Sequence, residues 1–179
     1  MQSRYTGIAQ VLHWITVAAL CFLLPFVWVA ENFPPGPVRT FWYLLHESMG
    51  VTVLLLVFIR LTWRWRHSGP PPPATLSRKM RIIAMLNHWL LYTILLVMPV
   101  TGYLMAGNGQ SVPYFGLISL PALPKNDPLG VVANQIHVWG QFVLYSLVTL
   151  HVAATTWHVA IRRDGLLSRM LPPQTNERR

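Results

Sequence analysis

Apolar residues gather along this chain into four long blocks, roughly 7–30, 41–63, 82–106 and 129–161, parted by polar or proline-rich stretches. Each block meets the length of about 20 residues that a helix needs to cross the hydrocarbon of a bilayer. Backbone amides in hydrocarbon must be satisfied within the segment, so the blocks are predicted to be helices. The fourth is longer than a span requires and should tilt or protrude. Short connections place consecutive helices antiparallel. The pattern predicts an all-α integral membrane protein, a four-transmembrane-helix bundle forming a single membrane domain over residues 1–179.

The punctuation refines this picture. The first connection, Glu31 to Thr40, contains Pro34, Pro35 and Pro37 and is expected to be non-helical. The second, Arg66 to Lys79, carries Pro70 to Pro73 and is expected to be extended and stiff. The third, Gly107 to Pro128, is the longest and is expected to form a cap with some order of its own around Tyr114 and Phe115. The polar tail after Arg169 is expected to be disordered. Pro25 and Pro99 fall inside the first and third helices, where neighbouring groups can satisfy the freed carbonyls. Gly50, Gly102 and Gly140 are small positions within spans, suited to close helix packing or to a bulky planar ligand. Many Trp and Tyr residues, including Trp42, Tyr43, Trp63, Trp65 and Trp139, lie near span ends, as an interfacial belt would place them.

Composition agrees: 53% of the residues are hydrophobic and 11% charged. The net charge of +9 raises nucleic acid as a partner, but its placement argues against it. Arg4, then Arg60, Arg64, Arg66, Arg78, Lys79 and Arg81, then Arg162, Arg163, Arg169, Arg178 and Arg179 all fall at one membrane face. The opposite connections hold only Arg39 and Lys125, beside Glu31, Glu47 and Asp127. This positive-inside asymmetry predicts that both termini are cytoplasmic and leaves no basic surface for nucleic acid. The first block is too long for a signal-peptide core and is expected to be retained. Cys21 is the lone cysteine, so no intramolecular disulfide forms, and no C-x-x-C-H is present for covalent haem attachment.

The chemistry lies in the histidines. His137 and His151 are fourteen residues apart on the last block, close to four helical turns, so both rings share one face. At about 1.5 Å per residue they stand roughly 21 Å apart in depth. Counting from the charged ends puts His13 level with His151 in the cytoplasmic half, and His46 level with His137 in the periplasmic half. For any one buried histidine a packed, hydrogen-bonded role is the ordinary reading. Four in two matched pairs suit a haem iron, which takes an imidazole on each axial face. Zinc would want about four ligands at one level. Copper would usually recruit Cys or Met. A proton relay would favour intramembrane carboxylates, and none lies deep in these blocks. Of the remaining histidines, His67 reads as solvated. His88 and His158, near the cytoplasmic ends of the third and fourth helices, either sit at the interface or flank a quinone head group.

The residues that carry these features resemble a known family. Q-x-x-H-W around Gln10, His13 and Trp14, H-x-x-x-G from His46 to Gly50, and H-x(13)-H in the last block resemble the bacterial cytochrome b561 family. So do N-H-x-x-L-Y at the start of the third block, M-P-V-T-G from Met98 to Gly102, and R-M-L-P near the end. The resemblance covers nearly the whole chain. It implies two noncovalent b-type haems, one held by His13 and His151 and one by His46 and His137, in a multi-pass carrier of the bacterial inner membrane. It is most similar to the small members that pass electrons from periplasmic superoxide to ubiquinone, with His88 and His158 as candidate quinone-site residues.

For a superoxide donor, a small anion, Arg39 and Lys125 are the candidate steering charges. Each also reads as an ordinary loop charge, and the outer face is not strongly positive overall. A competing reading is a haem-carrying membrane-anchor subunit that serves a partner oxidoreductase, such as a larger dehydrogenase or hydrogenase. A cofactor-free membrane protein would instead leave the paired histidines without a role.

Overall fold

The computed structural model describes residues 4–73 and 76–172. Four long helices run in chain order: α1 Gly7–Glu31, α2 Pro37–Arg66, α3 Arg78–Ala106 and α4 Asp127–Trp157. All four are long and apolar enough to cross a membrane. Local chemistry sets their starts. The Thr6, Ser77 and Asn126 side chains accept from the amides of Ala9, Met80 and Leu129, capping α1, α3 and α4. Pro37 opens α2, where its missing N–H costs nothing. The first connection is therefore shorter than expected: Val38, Arg39 and Thr40 belong to the first turn of α2.

The closest packing is within two hairpins, α1 against α2 and α3 against α4, joined by α2 against α3. Buried at their meeting is an apolar layer of Ala19, Leu23, Val53, Val57, Leu95 and Leu144. Leu144 is midway between His137 and His151 along α4, so this layer lies between the two histidine levels. Elsewhere the helices turn large apolar side chains outward, among them Phe22, Phe58, Ile83 and Phe142, as a lipid-facing surface does.

The all-helical expectation misses one feature. The third connection contains a two-stranded antiparallel ribbon, β1 Val112–Tyr114 and β2 Ile118–Leu120. Its turn runs through Phe115 and Gly116, both at positive φ (51° and 70°), a conformation that favours glycine at the second position. The ribbon is tied to α2: Phe115 N–H donates to Ser48 Oγ at 2.7 Å, and Tyr114 and Thr52 share a hydroxyl contact at 3.0 Å. The ordered cap expected around Tyr114 and Phe115 is present.

The opposite end also differs from expectation. After α4 the chain makes a π-helical turn, His158–Arg162, and then a 3₁₀ turn, Leu167–Met170. The segment through Leu171 docks on α1. Gln10 Nε2 donates to the carbonyls of Tyr5, Arg169 and Leu171, and Trp14 Nε1 donates to Met170 O at 2.8 Å. The Arg169 guanidinium reaches Pro71 O at 2.6 Å, fastening the proline linker. Residues 170–172 are thus held in place, and the rest of the predicted tail, 173–179, lies outside the described residues. Arg4 donates to Pro172 O, so the two described ends of the chain meet at one end of the bundle.

Candidate functional site

Two imidazole pairs form across helices at two depths. At the end where Arg4 meets Pro172, His13 of α1 faces His151 of α4 with ring centroids 6.4 Å apart. At the end carrying the ribbon, His46 of α2 faces His137 of α4 at 6.1 Å. The antiparallel threading read from the sequence brings together the residues it matched. Two metal–imidazole bonds of about 2 Å each plus the two ring radii come to roughly 6 Å across one metal ion. Both separations match that sum. His88 is also close to His151, but at 5.2 Å its ring is too near to be the opposite axial partner.

Hydrogen bonds orient the rings at the ribbon end. His46 Nδ1–H donates to Leu23 O at 3.2 Å, and His137 Nδ1–H donates to Met98 O at 2.8 Å. A ring that donates from Nδ1 to a carbonyl leaves Nε2 with its lone pair free for a metal. Gly102 allows this placement, because a Cβ there would come within 3.0 Å of His137 Cε1. At the other level Asn87 is buried and its Oδ1 has no partner among the described residues, while its Nδ2 donates to Leu147 O, one turn before His151. That orphaned acceptor suits the Nδ1 proton of a metal-bound imidazole. Gly50, one turn beyond His46, has nothing within 4 Å of where a Cβ would stand. Gly140, by contrast, is packing, since a Cβ there would meet Met98 Sδ at 2.7 Å.

The other predicted residues do not assemble into one site. His88 Nδ1–H donates to Ala84 O at 2.5 Å, with its ring against His151. His158 sits in the π-helical turn with its Nδ1 on Asp164 Oδ2 at 2.6 Å and its ring against Trp157. Asp164 also pairs with Arg162 Nε at 3.3 Å and accepts from Leu166 N–H. Arg39, placed by the sequence in a loop, is helical and packs its guanidinium on Tyr43 one turn on. Lys125 pairs with Asp127 at 3.6 Å, both side chains well exposed.

Sequence reasoning missed two residues here. Arg60, counted with the charges of the second connection, lies inside α2 with its guanidinium 3.1 Å from His13 Nδ1. A signal existed: Arg60 follows His46 by the same fourteen residues that separate His137 from His151, so it shares that depth. Asp164 was also passed over, although it is the one acid between Arg162 and Arg169.

The family model for prokaryotic cytochrome b561 matches residues 4–173. This chain belongs to the prokaryotic cytochrome b561 family. It is 31% identical to cytochrome b561 homolog 1 of Escherichia coli (strain K12), across 95% of this chain and 98% of that protein. Cytochrome b561 homolog 2 of the same strain is 27% identical across 97% of this chain and 94% of its own length. A "probable superoxide oxidase CybB" of Yersinia pestis is 25% identical across 96% and 98%. Family membership makes this a multi-pass bacterial membrane oxidoreductase of electron transport, with haem b as its implied cofactor. The paired rings, the free Nε2 atoms, the open space at Gly50 and the orphaned Asn87 oxygen fit such a planar, iron-centred group. Gly50→Leu in this cytochrome b561 should fill that space, lowering haem per chain while circular dichroism still shows the helices. Full haem content in the variant would count against a planar ligand there.

Proposed function

We propose that this protein carries two b-type haems and passes electrons from a periplasmic one-electron donor, superoxide, to ubiquinone in the bacterial inner membrane. The carrying observation is the two cross-helix imidazole pairs at 6.4 and 6.1 Å, set at separate depths. His46 and His137 hold the periplasmic-side iron, and His13 and His151 the cytoplasmic-side iron. Bound haem supplies one-electron chemistry, while the protein fixes its orientation and surroundings. The layer around Val53 and Leu144 keeps water out between the two levels. The basic residues at one set of helix ends support a cytoplasmic position for both termini.

The superoxide reading draws on the Yersinia relative's name and on the cations at the outer face. Arg39 and Lys125 contribute to steering, with Lys125 attenuated by its pairing with Asp127. For ubiquinone, His88 and His158 are the cytoplasmic-side candidates, and His158 has its Nε2 free because Asp164 engages Nδ1. The test is a reduced-minus-oxidised spectrum of the detergent-purified chain with haem and protein quantified together, followed by superoxide consumption with ubiquinone present. Two low-spin b haems per chain and quinone-dependent consumption are expected. A chain without haem after expression with ample haem supply would overturn the reading. Two haems without superoxide reactivity would overturn the donor alone.

A further inference from the structure

Arg60 is a guanidinium within a membrane-spanning helix, without a carboxylate partner among the described residues. Among the described residues the ion pairs are Lys125–Asp127, His158–Asp164 and Arg162–Asp164. Its neighbours are His13 Nδ1 at 3.1 Å and the face of Tyr92, whose ring centre lies 5.5 Å from the guanidinium carbon. Arg64, one turn on, lies over the same ring at 6.0 Å. An arginine at such a position is costly and calls for an anionic or strongly polar partner.

The His13 contact cannot be that partner once His13 binds iron. A neutral imidazole that accepts from Arg60 at Nδ1 carries its proton on Nε2 and has no lone pair there for a metal. When His13 ligates through Nε2, the proton moves to Nδ1 and two donors face each other, so the guanidinium must turn to another acceptor. The Tyr92 hydroxyl is a neutral acceptor beside it, but no carboxylate among the described residues is at hand: Glu31, Glu47 and Asp127 belong to the opposite end, and Asp164 is engaged by His158 and Arg162. Haem b brings its own acceptors, two propionate carboxylates.

We propose that Arg60 anchors a carboxylate of the group held between His13 and His151, with Tyr92 supporting the guanidinium from below. Arginine suits this task because its planar fork can bond both carboxylate oxygens. The inference rests on the haem reading of that histidine pair.

The test compares haem b with its dimethyl ester, which keeps the iron and ring but lacks free carboxylates. Wild-type chain, Arg60→Gln and Arg60→Lys would be produced haem-free in detergent and reconstituted with each. Wild type should hold haem b about tenfold or more tightly than the ester at one of its two sites, as expected for a charge-assisted bond. Arg60→Gln should hold both alike at that site, and its haem b should titrate at a lower midpoint potential, because an uncompensated carboxylate favours the ferric state. Arg60→Lys should restore part of both effects. An Arg60→Gln chain that discriminates as wild type does, with an unchanged potential, would overturn the Arg60 proposal alone. No haem binding by wild type would overturn the histidine-pair reading with it. Should Arg60→Gln not fold, equal affinity of wild type for haem and ester would still overturn the anchor.

Discussion

On the proposed two-haem reading, a His137→Ala chain is expected to purify with about half the haem of wild type and to lose electron transfer from superoxide to ubiquinone. The expectation follows from position. His137 is half of the pair at the ribbon end, its Nδ1–H is fixed by Met98 O, and Gly102 leaves room for the ring. Loss of a ligand should weaken the group there by more than the roughly 10–100-fold typical of losing a partner of a ligand. His13 and His151 lie four turns away behind the apolar layer, so their site should keep its haem and its spectrum. His151→Ala should give the mirror result, and the double variant no haem. Imidazole added to His137→Ala should restore part of the missing absorbance, because the cavity left by the side chain admits it. Unchanged haem content in His137→Ala and His151→Ala would sink the assignment of these pairs.

The second large effect is expected at Asp164. Its carboxylate is only 7% exposed and sits 2.6 Å from His158 Nδ1, itself 9% exposed. Arg162 Nε approaches the same oxygen at 3.3 Å, and Leu166 N–H donates to the other. Removing the carboxylate leaves the His158 and Leu166 N–H donors without their acceptor, which typically costs about 1–3 kcal/mol. Asp164→Ala should therefore lower the thermal midpoint in detergent substantially, and Asp164→Asn, which keeps an acceptor oxygen, by less. The pH dependence has a definite sign. Burial by itself raises the Asp164 carboxyl, but the His158 hydrogen bond and field, the Leu166 N–H and Arg162 outweigh it and hold it below the ordinary carboxylate range. Its stabilisation is then complete above the unfolded value of about 3.9 and is lost as pH falls through the lower folded value. The stability gap between wild type and Asp164→Asn should close in acid, as pH falls below about 4. A gap that persisted unchanged through strong acid would exclude this assignment.

The four helices and both histidine pairs were legible in the sequence because each rests on a strong, one-dimensional signal. Spans declare themselves by apolar length, and a fourteen-residue repeat on a helix fixes face and depth together. What was not legible depends on single polar bonds between distant segments. Gln10 and Trp14 belong to a recognisable motif, yet nothing near them in the chain shows that their partners are the carbonyls of Arg169, Met170 and Leu171. The ribbon at Val112–Leu120 is three residues per strand, too short for alternation to show, and its turn puts Phe115 rather than a glycine at positive φ. Arg60 was hidden by its company: in a run of basic residues it reads as one more interfacial charge, and only its fourteen-residue offset from His46 separates it from them.

The clasp of Gln10 and Trp14 on the segment around Met170 has a consequence for how the protein is made. The amide of Gln10 finds Arg169 O across 159 positions of chain. At about 5–20 residues per second, a ribosome takes roughly 8–30 s to travel that distance. For most of that interval the first helix has been made while its last partner has not. The seam where His13 meets His151 therefore closes late, only once α4 and the segment beyond it have been made.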